Sequence, residues 1–180
     1  SITKSTFYLI DNLLNWTKSQ RGLIVYDPQV FLVLPLIEEE LNLLNPIREK
    51  KNIEIILSIE PSTLAYGDIN MVRTIFRNLI SNALKFTPSN GKVEISSSLS
   101  NNNIEFAIKD NGVGISEENM KNFFANKEMN TTFGTDNEKG SGLGLLLCRD
   151  FIERNNGDFR VESKEGIGAT FTFSLKRFQV

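Results

Sequence analysis

The stretch "DINMVRTIFRNLISNALKFTP", residues 68–88, leaves this chain less freedom than any other. Asp68 can cap a helix, because its carboxylate accepts the unpaired N–H groups of a first turn, and Pro88 cannot continue one. Between them Val72, Ile75, Phe76, Leu79, Ala83 and Phe86 recur at helical spacing, and at 100° per residue they gather on one side. A helix with one apolar side must lay it on something. The next segments supply the surface: residues 92–99 and 103–109 read as a hairpin around "NNN", with Ile104, Phe106 and Ile108 on one face. A one-faced helix beside one-faced strands predicts a layer of helices on a sheet.

The rest of the chain fits that plan. Residues 6–19 read as a helix with an unusually wide apolar face, which implies a partner helix outside this chain. A turn at 27–29 precedes a short strand at 30–34, a helix opened by Pro35 that runs to about Lys50, and extended pieces at 52–59 and 64–68. Residues 116–139 are polar and weakly periodic, an excursion long enough to be functional or mobile. A helix over 143–155, ended by Gly157, leads into strands at 158–164 and 169–176 around "EGIG". The predicted fold class is α+β: a two-layer α/β sandwich with a mixed, mostly antiparallel sheet, helices on one face, and a preceding N-terminal helix.

Composition removes several function classes. There is no histidine among the 180 residues, which excludes imidazole acid–base chemistry and histidine metal sites on this chain. A net charge of −2 implies no basic surface for nucleic acid. The single cysteine, Cys148, allows no internal disulfide and reads as a small core residue. No apolar run reaches the roughly 18 residues of a membrane span, so no membrane contact is expected here, and a cytoplasmic place is, whether or not a longer parent is membrane-bound.

Four motifs carry possible chemistry. On the 68–86 helix, Asn78, Asn82 and Lys85 fall within about 60° of one another, away from the apolar side. Amide oxygens suit a hard cation and a lysine suits phosphate, although taken alone the stripe is more often a solvated polar face. "IKDNGVGI" delivers Asp110 to a strand end, with Gly112 and Gly114 after it; the pattern serves a ligand or an ordinary turn. "GSGLG" sets Gly140, Gly142 and Gly144 at a helix start, where unpaired N–H groups and the positive dipole end favour an anion; alone it could be a hinge. It matches neither a Walker loop nor a dinucleotide fingerprint. "EGIGATFTF" places Gly166 and Gly168 before a strand, with Thr170 inward or ligand-facing, or marks a bulge.

Taken in order, "NLISNALKFTP", "DNGVGI", "GSGLGL" and "GIGATFTF" resemble the N, G1, G2 and last glycine boxes of sensor histidine kinase catalytic domains, in the GHKL or Bergerat-fold superfamily. "FF" at 123–124 is similar to the F box that anchors the ATP lid. The resemblance implies ATP and Mg²⁺ as cofactors. It implies Asn82 as metal ligand with Asn78 beside it, Lys85 on phosphate, Asp110 on the adenine amino group, and Gly140, Gly142 and Gly144 against the phosphates. Phe86, Gly112, Gly114, Ile115, Leu143 and Thr170 complete the nucleotide-binding set it implies.

It also implies domains: residues 1–21 as the second helix of a truncated dimerisation and histidine-phosphotransfer domain, 22–29 as linker and 30–180 as the catalytic domain. Expected partners are that phosphotransfer domain, a downstream response regulator, and a second copy in a dimeric parent. The Hsp90, MutL and gyrase hydrolases of the superfamily carry a glutamate where this chain has Asn78, which favours phosphoryl transfer over hydrolysis. A serine kinase or ATPase on the same fold, and a nucleotide-sensing pseudokinase, are the alternatives.

Overall fold

The computed structural model describes residues 13–14, 17–19, 21–100, 102–124, 135 and 143–178, with 122–124 described by backbone alone. In chain order the elements are β1 (Gln29–Leu32), α1 (Val33–Lys51), β2 (Glu54–Ser58), β3 (Leu64–Gly67), α2 (Ile69–Phe86), β4 (Lys92–Ser100), β5 (Asn103–Asp110), α3 (Glu117–Phe124), α4 (Leu143–Arg154), β6 (Phe159–Lys164) and β7 (Gly168–Arg177). The strands form one sheet in the order β1-β3-β7-β5-β4-β2, with β6 also paired to β7. Every pair is antiparallel except β2 with β4. The long strand β7 borders β5 along one edge, while β6 and then β3 share its other edge.

The predicted sandwich forms because α2 buries the face its spacing foretold. Val72, Ile75, Phe76, Leu79 and Ala83 are buried, with Ile80 and Leu84 beside them. Phe76 meets Phe106 of β5 and Phe173 of β7 edge-on, at centroid distances of 5.4 and 5.1 Å, a favoured aromatic geometry. Helix α4 adds Leu147, Cys148, Phe151 and Ile152, and α1 adds Val33, Leu36, Ile37 and Leu44. Cys148 is buried core, as expected, and burial pushes its thiol pKa far up, so it is no nucleophile.

Asp68 is the N-cap of α2. Its Oδ1 accepts from the Asn70 and Met71 N–H groups at 3.0 and 3.1 Å, and its Oδ2 accepts from Asp27 N–H at 3.0 Å. Between α1 and α2 lies a buried acid: Glu40, 0 % exposed, accepts from Arg77 Nε at 2.8 Å and Arg73 Nη1 at 3.2 Å. Near the chain start, Arg154 of α4 donates to the Ser19 carbonyl and hydroxyl at 3.2 and 2.9 Å, and the Ser19 hydroxyl donates to Asp150.

Three expectations change. The 116–139 excursion contains α3, a helix of two turns, before the stretch that lies outside the described residues. The left-handed residue closing α4 is Asn156, φ 56°, and not Gly157, which follows it and sends its N–H to Ile152 O at 2.9 Å. Phe86 is half-buried, so the apolar face of α2 ends one turn earlier than its spacing suggests. Most of the predicted 6–19 helix falls outside the described residues, of which 13–14 and 17–19 are helical. Among the described residues no helix is long and apolar enough to cross a membrane.

Candidate nucleotide site

Helix α2 ends where β5 ends, and the candidate residues collect around that meeting. The last carbonyls of a helix lack the usual partners within it, and here each is satisfied by the cap or by a remote segment. Ala83 O accepts from the Thr87 N–H and hydroxyl at 3.0 and 2.6 Å. Leu84 O and Lys85 O accept from Lys51 Nζ at 3.2 and 2.8 Å. Lys85 O also accepts from Thr135 N–H at 3.2 Å, and Phe86 O from Val113 N–H at 3.1 Å. The turn that carries Lys85 and Phe86 is therefore fixed from three directions: the end of α1, the turn after β5, and Thr135.

On the polar stripe of α2, Asn78, Asn82 and Lys85 are all half-buried. The Asn78 amide donates to Thr74 O at 3.0 Å, which turns its oxygen away from its own helix. The Lys85 ammonium sits 4.8 Å from the centroid of the Phe86 ring, a cation–π contact that steadies it at the helix end. No aspartate or glutamate occurs anywhere in α2.

Asp110, at the end of β5, is 5 % exposed. Both of its hydrogen bonds fall on Oδ1, from Gly112 N–H at 2.8 Å and Ala169 N–H at 3.3 Å. Burial raises its pKa, and the two N–H donors pull it back down. Its Oδ2 accepts nothing among the described residues, so a buried carboxylate here keeps one acceptor lobe for an incoming N–H.

Glycines let the chain turn around that carboxylate. Gly114 (φ +69°) passes so close to the Lys164 carbonyl that a Cβ would strike it, and Gly168 (φ +134°) does the same against Asp110 O. Ile115 N–H donates to the Ser163 hydroxyl at 2.8 Å, which in turn donates to Gly168 O at 2.8 Å. This ties the turn after β5 to the β6–β7 hairpin. An open recess of about 850 Å³ lies between α3 and that hairpin, lined by Ile115, Glu117, Met120, Lys121, Ser163, Lys164 and Glu165. It shares only Ile115 with the candidate residues.

The structure thus sets Asn78, Asn82, Lys85 and Phe86 along the second half of α2, and Asp110, Gly112, Gly114 and Ile115 at and just after the end of β5. Leu143 and Gly144 open α4, whereas Gly140 and Gly142 lie outside the described residues, as do the side chains of Phe123 and Phe124. Thr170 is a correction. It pairs with the exposed Lys109 across β5 and β7, so strand alternation sends it to the sheet face opposite Asp110. Its neighbour Ala169 pairs with Asp110 and shares its face. Lys51 and Ala169 are the residues that reading the sequence missed. No local pattern marks either, since each acquires its role only when distant segments meet.

A family model described as histidine kinase-, DNA gyrase B-, and HSP90-like ATPase matches residues 67–179. The hybrid signal transduction protein dokA of Dictyostelium discoideum is 31% identical over 187 residues, an alignment covering 97% of this chain and 11% of that protein. The chain thus spans about a tenth of that relative's length. The catalytic domain of histidine kinase ThkA superposes with a TM-score of 0.71 at 27% identity, covering 84% of this chain and 96% of that one. Full-length ShkA, solved in complex with AMPPNP, shares the fold with a TM-score of 0.74 at 24% identity, over 96% of this chain and 36% of that one. The match spans every described candidate residue, from the end of β3 to β7, and the chain belongs to the histidine kinase-, DNA gyrase B- and HSP90-like ATPase family, as a histidine-kinase-like ATP-binding domain.

Proposed function

We propose that this domain binds Mg-ATP and passes the γ-phosphoryl group to a histidine supplied by another domain. The observation that carries the reading is the amide pair Asn78 and Asn82 on a helix without a single carboxylate. A hydrolase needs a base to take the proton of attacking water, and an amide cannot act as one. A neutral imidazole needs no such base. Its nitrogen bonds to the γ-phosphorus as the bond to the bridging oxygen breaks, and ADP leaves. The chain has no histidine, so the acceptor comes from outside it.

In this reading Asp110 Oδ2 accepts the adenine amino group, Lys85 meets phosphate charge, and the N–H groups opening α4, with Gly140 and Gly142 before them, face the phosphates. Mg²⁺ suits the donors present. Among the described residues the Asn82 amide makes no hydrogen bond, and no group of three acidic, cysteine or histidine side chains could cage an ion. An ion held by one protein oxygen, substrate phosphates and water is the habit of Mg²⁺. When bound it would neutralise phosphate charge. ShkA's complex with AMPPNP, on the same fold, supports the nucleotide.

Residues 1–21 would then end a helix of the phosphotransfer domain. The turn in which Gly22 (φ +65°) follows, with Leu23 N–H on Lys18 O at 2.9 Å, supports a helix stop there. Domain 30–180 would act on a two-helix acceptor domain of a dimeric, cytoplasmic kinase module whose phosphoryl group passes to a response regulator. The test is labelled ATP with the chain alone and then with a separately supplied acceptor domain. Acid-labile label on the acceptor alone is expected. Label on neither, with ATP still bound, would favour a nucleotide-sensing pseudokinase. Steady phosphate release from the chain alone would favour a hydrolase.

A further inference from the structure

Lys51 is 1 % exposed, an unusual place for an ammonium, and no nucleotide contact assigned above uses it. Its Nζ lies 3.2 Å from Leu84 O, 2.8 Å from Lys85 O, 3.5 Å from Thr87 O and 2.8 Å from Thr135 Oγ1. Thr135 holds two of the same three carbonyls. Its N–H donates to Lys85 O at 3.2 Å, and its hydroxyl lies 3.1 Å from both Lys85 O and Thr87 O. Thr135 belongs to the 116–139 stretch, and Lys51 ends α1, so three remote segments converge on one turn.

We propose that Lys51 and Thr135 together form a clasp that positions the phosphate-side end of α2. Lys51 is a positioning residue, acting through Lys85 and Asn82 and not on the nucleotide itself. Two physical arguments carry this. The carbonyl being gripped belongs to Lys85, so the clasp sets the backbone from which that side chain leaves, one turn beyond Asn82. In addition, the last turn of a helix carries partial negative charge, which is unfavourable beside a triphosphate. A buried ammonium on those carbonyls offsets it. Asp110 at the base-reading end is held by different donors, Gly112 and Ala169. The clasp should therefore matter for the phosphates and not for the base.

The inference rests on the nucleotide reading above, and its test separates the two. Affinities for ATP and for adenosine are measured by titration on wild type, Lys51→Met, Thr135→Val and Thr135→Ser. Wild type should bind both. Thr135→Val keeps the shape and the N–H but loses the hydroxyl, and Thr135 is exposed, so the variant should fold. It and Lys51→Met should weaken ATP by about tenfold, the worth of a charge-assisted hydrogen bond, with adenosine changed less than about twofold. Thr135→Ser should bind ATP as wild type does. The double variant should bind ATP no more weakly than Lys51→Met, because both changes break one linkage. If Lys51→Met fails to fold, the valine and serine pair decides. An unchanged ATP affinity in Thr135→Val, or equal losses of ATP and adenosine, would overturn the clasp while leaving the nucleotide reading intact. Absence of ATP binding by wild type would overturn both.

Discussion

An amide on α2 and a phenyl ring one turn and a half before it do unlike work, and single substitutions separate them. Asn82 is half-buried and its side-chain amide makes no hydrogen bond among the described residues, so Asn82→Ala should cost within about 1 kcal/mol of stability while abolishing magnesium-dependent ATP binding. Phe76 is fully buried against two other rings, and Phe76→Ala should cost about 3–5 kcal/mol. Urea unfolding and ATP titration on both variants check the pair; normal Mg-ATP binding by Asn82→Ala would remove the metal assignment.

Asp110 offers a pH test. Burial raises its pKa from 3.8, so the folded state holds its proton more tightly than the unfolded chain does. Its contribution to stability is then fullest below that ordinary value and is lost as pH rises through the raised one. Asp110→Asn cannot titrate, so the variant should gain on wild type across that window. Its ATP affinity should still fall, because an amide that accepts the Gly112 and Ala169 N–H groups turns its own N–H toward the base. A stability difference independent of pH would rule out desolvation as the cause.

Among the elements, the β6–β7 hairpin shows how backbone geometry is spent. Gly166 (φ +77°) has open space where a Cβ would go, whereas a Cβ at Gly168 (φ +134°) would meet Asp110 O. Gly166→Ala should cost about 1–2 kcal/mol of conformational strain, and Gly168→Ala distinctly more, by thermal melts of the two variants. Between α1 and α2, Glu40→Ala should destabilise by less than the roughly 3–5 kcal/mol typical of breaking a buried pair. Arg73 and Arg77 keep 28 % and 24 % of their side chains exposed and can turn back to water.

These elements were legible in proportion to how local their causes are. Helix α2 was readable in all but its last turn, where Phe86 leaves the core, because its cap, its apolar spacing and its proline all lie within twenty-one residues. Asp110 and its glycines were readable because the turn follows the strand directly. The burial of Lys51 was not, since it depends on a helix end 33 residues further along the chain. The facing of Thr170 was not either, because shifting a register by one residue reverses every side chain, and only the pairing with β5 settles it.

For the whole molecule, ligand linkage gives a direct readout. ATP at a hundredfold excess over its Kd should stabilise the fold by about 2.7 kcal/mol and raise the melting temperature. GTP should not, because guanine presents a carbonyl where Asp110 needs an amino group. Equal shifts with both nucleotides would show that the carboxylate does not read the base. The sheet order has a further consequence, in time instead of space. Strand β7 lies between strands that precede it by up to 139 residues in the chain, since it borders β3 and β5 while β3 carries β1. Until β7 is present, β1–β3 and β5–β4–β2 are two separate ribbons, and Asp110 lacks the Ala169 N–H that helps to hold it. A ribosome translating this domain would therefore release a nucleotide site only with the strand that completes the sheet. A nascent chain stopped near residue 167 should remain protease-sensitive and blind to ATP, however long it waits.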